Sequence, residues 1–228
     1  FIGYLLLEVP SNLALHKFGA RRWIARILVT WGIIAALMAF VPTGTWLGLG
    51  GEWWLVILRV LLGIAEAGFF PGIILYLTFW FPKRERAKAI SFFMLAIPAS
   101  SVLGAPLSAW LIEHGDGLLW GLSGWRFMFL IEGLPAVLLG FICWFFLTDR
   151  PHDAKWLADD ERAWLKAEMD REEEETAATY HVPLRTSLTS GRVWALAFVY
   201  FGVVYGLYAI SFFLPVSYTH LTLPTILL

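Results

Sequence analysis

The sequence predicts an all-α membrane protein, and three observations carry that expectation. Of the 228 residues, 59% are hydrophobic and only 15% are charged, against roughly 25% charged in a soluble domain. Apolar runs long enough to cross a bilayer, which takes about 20 residues of helix, recur along the whole chain. Basic residues gather in alternate loops, as they do when a chain threads back and forth through a membrane. Too little polar surface is available to cover a water-soluble globule of this size.

The elements follow in order. A partial span covers 1–14, and the chain is read as starting partway through a membrane helix. Full spans are expected at 23–41, 54–80, 89–112, 126–147 and 193–216. Gly63, Gly68, Pro71, Pro98, Gly104, Pro106, Gly133 and Pro135 fall inside them. Membrane helices accept such residues because small ones let helices approach and neighbours re-satisfy the freed backbone. The loop 15–26 holds Lys17, Arg21, Arg22 and Arg26, and the loop 82–88 holds Lys83, Arg84, Arg86 and Lys88. The loops 42–53 and 113–124 hold neither lysine nor arginine. This asymmetry puts 15–26, 82–88 and the polar stretch 149–192 in the cytoplasm.

Residues 149–192 read as a linker. Within it Trp156, Leu157, Trp164, Leu165 and Met169 recur at helical spacing, which predicts one amphipathic helix on the membrane or the bundle. The acidic run 172–175 reads as a solvated face, the alternative being a partner-docking or regulatory segment. The threonine-rich tail 217–228 fits no span and is expected to be non-native. The single cysteine, Cys143, lies in an apolar run and is expected to pack as a small apolar residue.

Other classes find no support. The sequence has no Walker-type glycine loop with its Lys and Ser/Thr, no HExxH and no Cys/His cluster. The five histidines scatter through loops and tail, so neither a metal site nor a hydrolase triad can be built. The chain is not expected to be an enzyme, to need a cofactor or to bind nucleic acid, since its basic patches flank membrane spans.

The segment "RVLLGIAEAGFFPG" (59–72) is anomalous because two full charges sit in an apolar span. Each costs about 2.5–3.5 kcal/mol at the bilayer centre on insertion scales. Arg59 and Glu66 are seven residues apart, two helical turns, on one face and roughly 10 Å apart along the axis. That spacing suits two groups lining one cavity. Gly63, Ala67 and Gly68 leave room beside them, and Pro71 is placed to bend the helix. Arg59 offers a planar fork for a carboxylate. An organic anion that neutralised Arg59 would ease proton uptake by Glu66, and linkage makes the effect mutual. The other reading pairs Arg59 with Glu132 on the sixth span and leaves Glu66 to cap backbone near the bend. Glu8 and Arg126 read as groups reaching the membrane interface. Ser100 and Ser101 beside Pro98, and Tyr205 and Tyr208 midway along the last span, are further candidate cavity residues.

Several stretches resemble the anion:cation symporters of the major facilitator superfamily. These are "GYLLLEVPSNLALHKFGARRWIARI" (3–27), "RVLLGIAEAGFFPGIILYLTFWFPKRERAKA" (59–89), "GAPLSAWL" (104–111), "GWRFMFLIEGLPAVLLG" (124–140) and "LTDRPHDAKWL" (147–157). The resemblance covers about 1–216. It implies a bundle of two six-helix halves, with helix two (partial) to helix six in 1–148, the inter-half linker in 149–192 and the first helix of the second half in 193–216. The wider superfamily's glycine, acidic and basic signature after helix two is altered here: Asn12 and His16 replace its glycine and aspartate, while Arg21 matches a basic position. The resemblance also implies Arg59 and Tyr4 as substrate contacts and Glu66 as the proton-coupling group. The implied function is proton-coupled uptake of a small organic anion (a sugar acid, a tartrate-like or an aromatic carboxylate) by a monomer in a bacterial-type inner membrane. The alternatives are an anion exchanger on the same fold, or a non-transporting sensor or scaffold whose working surface is the acidic stretch 159–175.

Overall fold

The computed structural model describes residues 2–179, 186 and 188–221. The eight helices described are α1 (Ile2–Phe18), α2 (Ala20–Leu37), α3 (Gly51–Glu66), α4 (Phe69–Trp80), α5 (Lys83–His114), α6 (Gly124–Phe146), α7 (Asp159–Thr179) and α8 (Gly191–Leu221). Short 3-10 turns follow α2 at Met38–Phe40 and α6 at Pro151–Asp153. Among the described residues, extended pairing is confined to one bridge between Trp46 and Leu49. The chain forms two units, 1–173 and 174–228.

Five segments are long and apolar enough to cross a membrane: Ala20–Phe40, Gly51–Trp80, Lys83–His114, Gly124–Phe146 and Gly191–Ser211. They match the five full spans expected from the sequence, and α1 carries the partial one on to Phe18. Residues 217–221 continue α8, and 222–228 lie outside the described residues.

The segment expected as a continuous helix at 54–80 is two helices. Gly68 adopts a left-handed φ of 82° between α3 and α4. Pro71 supplies the reason. It has no N–H to donate to the carbonyl four residues earlier, and its ring crowds that carbonyl. The break therefore falls at Ala67–Gly68 rather than at the proline. Only glycine takes this φ readily, and a side chain at Gly68 would also run into Ser11 on α1.

The closest helix pair in the first unit is α2 against α6, running antiparallel. Glycines let the two backbones meet. A Cβ on Gly32 would lie 2.7 Å from the Gly133 carbonyl oxygen and from the Val137 nitrogen. One on Gly140 would lie 2.9 Å from the Val29 nitrogen. Because these neighbours are backbone, they cannot swing away. Gly32→Val should therefore cost at least about 1–3 kcal/mol by overpacking and lower the thermal midpoint of the detergent-solubilised protein. A melt superimposable on wild type would show that the helices do not meet at this glycine.

The buried core lies where α1, α2, α4 and α6 meet. Leu15, Ala20, Ile24 and Leu28 are shielded there by Trp23, Trp31, Phe69, Ile73, Tyr76 and Cys143. Cys143 is half-buried in this packing, as expected of a small apolar residue. Most large apolar side chains elsewhere point outward, Phe145 and Phe146 among them. This suits helices surrounded by lipid, where outward apolar surface carries no penalty.

Three helices start under acidic side chains from outside the helix, two of them brought from far along the chain. The Asp149 carboxylate accepts the Arg21 N–H of α2 (2.7 Å). Glu172 accepts the Lys83 N–H of α5 (2.7 Å), and Asp116 accepts the Gly124 N–H of α6 (3.1 Å). Carboxylates belong there, since helix N-termini leave N–H groups unsatisfied and carry partial positive charge. Glu172 also pairs with Arg86 at 3.3 Å and is only 12% exposed. The acidic run 172–175 is thus not a uniformly solvated face, because its first residue ties α7 to the α4–α5 turn. Nor do the five linker aromatics and aliphatics share one helix. Trp156 and Leu157 precede α7, and the Arg162 side chain holds that turn by donating to the Ala154 and Leu157 carbonyls. Trp156 stacks on Trp80 at 5.6 Å, while Trp164 is exposed.

Candidate functional site

Arg59 sits in the ninth position of α3, about 12 Å from the helix start at 1.5 Å per residue. Glu132 stands equally far into α6, which runs parallel to α3. Equal depth does not bring them together. The guanidinium of Arg59 lies over the ring of Phe129, 5.6 Å from its centroid, and Phe129 precedes Glu132 by three residues of α6. Among the described residues Arg59 forms no ion pair, so the alternative pairing with Glu132 is absent. A ring face attracts the cation without using its N–H groups, and the planar fork stays available to a carboxylate.

Glu66 is the last residue of α3 and half-buried, immediately before the break. The last carbonyls of a helix have no intrahelical partner. A protonated Glu66 can donate to such a carbonyl; an ionised one can only accept. Its role as a cap at the bend finds no hydrogen bond among the described residues, nor does an ion pair hold it.

The third candidate, Tyr4, is brought to the same place. Helix α1 runs parallel to α3 and α4. A Cβ on Gly3 would meet Ile64, and one on Gly63 would lie 3.9 Å from the Tyr4 nitrogen. Tyr4 therefore flanks the stretch between Arg59 and Glu66, and its ring is half-buried. Further along α1, the Glu8 carbonyl lies beside Gly68. Glu8 was expected to reach the membrane interface, but α1 runs on for ten more residues, so Glu8 stands at the depth of the helix break. Arg126 donates to the Ala39 carbonyl in the 3-10 turn after α2 and to the Val41 carbonyl just beyond it.

The remaining candidates stand on α5 and α8. Ser100 and Ser101 both donate to the Ile97 carbonyl within α5, at 2.7 and 3.4 Å. Tyr205 stacks on Phe201 in α8, 5.9 Å between centroids, and Tyr208 is exposed on the same helix. Among the described residues no cluster of His, Cys, Asp and Glu is placed to hold a metal. Phe129, which positions Arg59, was not foreseen. One phenylalanine among many apolar residues of a span gives no signal of which helix it will meet.

The family model described as Major Facilitator Superfamily matches residues 1–228. A candidate tartrate transporter of Agrobacterium vitis is 53% identical over 216 residues, covering 94% of this chain and 45% of its own length. A candidate metabolite transport protein of Pseudomonas putida, NicT, is 41% identical, covering 94% of this chain and 47% of its own. A quinolone resistance transporter of Acinetobacter baumannii is 41% identical with the same two coverages. The chain spans about half the length of these curated relatives.

Proposed function

Given that the chain belongs to the Major Facilitator Superfamily, we propose that it contributes one side of a proton-coupled uptake system for a small organic anion. Arg59 holds the carboxylate of the anion, Glu66 carries the proton and Tyr4 lines the same space. The observation that carries this reading is the state of Arg59. It lies within a membrane-spanning helix, is neutralised by no acidic partner among the described residues, and rests on Phe129 with its fork free. A permanent charge in that setting calls for a mobile counter-ion.

Glu66 supports the coupling. It lies two turns from Arg59 and at the break that divides the span, so its charge state can bear on both anion binding and the bend. An anion on Arg59 lowers the local positive charge and favours protonation of Glu66, and by reciprocity the proton tightens the anion. Transport proceeds by rocking of two halves around this site. The tartrate named for one relative agrees with a carboxylate cargo, as a sugar acid or an aromatic carboxylate would. The protein works as a monomer in the inner membrane, with 15–26, 82–88 and 149–192 in the cytoplasm.

The test is made on the full-length protein in vesicles holding a pH-sensitive dye. Adding sugar acids, tartrate and aromatic carboxylates outside should acidify the interior for at least one of them, at a rate saturating with its concentration. Labelled anion that exchanges across the membrane without any proton entry would replace symport by exchange on the same residues. A panel in which nothing moves would sink the transport reading.

A further inference from the structure

Glu132 is left without a role by the account above, and its setting is unusual. It lies about 12 Å into a membrane-spanning helix, is exposed, and accepts one hydrogen bond, from the Ser108 hydroxyl of α5 at 2.5 Å. One neutral donor does not offset a carboxylate at that depth. Among the described residues no cation pairs with it. Structural carboxylates elsewhere in the first unit are used differently: Asp116, Asp149 and Glu172 each bind a helix N-terminus. Glu132 is in the middle of α6, where every nearby N–H is already spent within the helix.

What it does share is a neighbour. Phe129, one turn before Glu132 on α6, is the ring on which Arg59 rests. Three residues of α6, about 4.5 Å along its axis, separate Glu132 from the residue on whose ring Arg59 rests, and the two charges are not joined among the described residues. An acceptor so placed complements a ligand that presents a carboxylate to Arg59 and an O–H from a neighbouring carbon to Glu132. A second carboxylate at that point would be repelled, and an apolar carbon would leave Glu132 unpaired.

We propose that Glu132, oriented by Ser108, is a hydroxyl-recognition subsite that selects hydroxylated carboxylates over their unhydroxylated counterparts. This rests on Arg59 being the anion site and deepens that reading. Ser108 is a positioning residue: its O–H fixes one carboxylate oxygen and leaves the other to the ligand. A hydrogen bond to a charged acceptor makes a discrimination of about 10- to 100-fold.

The experiment compares matched anions in vesicles holding the full-length protein: tartrate and malate against succinate, and gluconate against hexanoate. Wild type should prefer the hydroxylated member of at least one pair by about tenfold or more in kcat/KM. Glu132→Leu should collapse that ratio by lowering uptake of the hydroxylated member, and Ser108→Ala should move it the same way by less. If Glu132→Leu does not elute as a single species, Glu132→Gln, which removes the charge and keeps a neutral acceptor, should lower the ratio in part. A ratio that these variants leave unchanged overturns the subsite, and so does an equal fall for both members. Wild type that moves no hydroxylated member also overturns it. Arg59→Ala separates the two failures. Loss of all uptake in that variant alongside an unmoved ratio in Glu132→Leu leaves the anion site standing without the subsite, whereas undiminished uptake removes the anion site itself.

Discussion

Arg59→Ala is expected to lower anion uptake by two to three orders of magnitude while the protein still inserts and elutes as wild type. The size follows from what is removed. A bound carboxylate left in a low-dielectric cavity without its cation forfeits about 3–5 kcal/mol, and each 1.4 kcal/mol is a factor of ten. The fold should tolerate the change, because Arg59 holds nothing in place: it makes one ring contact and no ion pair among the described residues. Arg59→Lys separates charge from geometry. It keeps the cation and loses the planar fork, so uptake should recover only in part, staying about tenfold below wild type. Initial rates of labelled anion uptake into vesicles give both numbers. Uptake by Arg59→Ala within twofold of wild type would show that the guanidinium is a packing group.

Glu66→Gln should divide two activities that the wild type joins. The amide has the size of the protonated acid and its hydrogen-bonding capacity, but it cannot release a proton. The variant is therefore held in a form resembling the loaded carrier. Exchange of labelled for unlabelled anion across the membrane should persist within a few-fold. Uptake driven by an inward proton gradient should fall to simple equilibration, with no acidification of the vesicle interior. Retained accumulation against a gradient would move the proton site elsewhere, with Glu8 the first residue to examine, since its backbone lies beside Gly68 at the same break.

Much of the architecture was legible in the sequence because a bilayer imposes simple rules. Five apolar stretches of sufficient length became five spans, since a chain in lipid must satisfy its backbone within each helix. The pairing of Arg59 with Glu66 on one span was equally legible from the cost of charge in that setting.

Tertiary structure decided what those charges meet. Spacing along one helix cannot say which ring on another helix lies under an arginine, so Phe129 was invisible, and so was the failure of Arg59 and Glu132 to join despite equal depth. The break at Ala67–Gly68 was displaced from where the proline suggested, because a proline acts on the carbonyl four residues before it. The remote caps Asp149 and Glu172 follow the same logic: each lies far in sequence from the helix it starts, and only the folded bundle brings them together. The sequence by itself determined the class, the spans and the residues under electrostatic strain, all properties of a segment and its solvent. The folded chain alone settled their partners, which depend on how neighbouring helices pack.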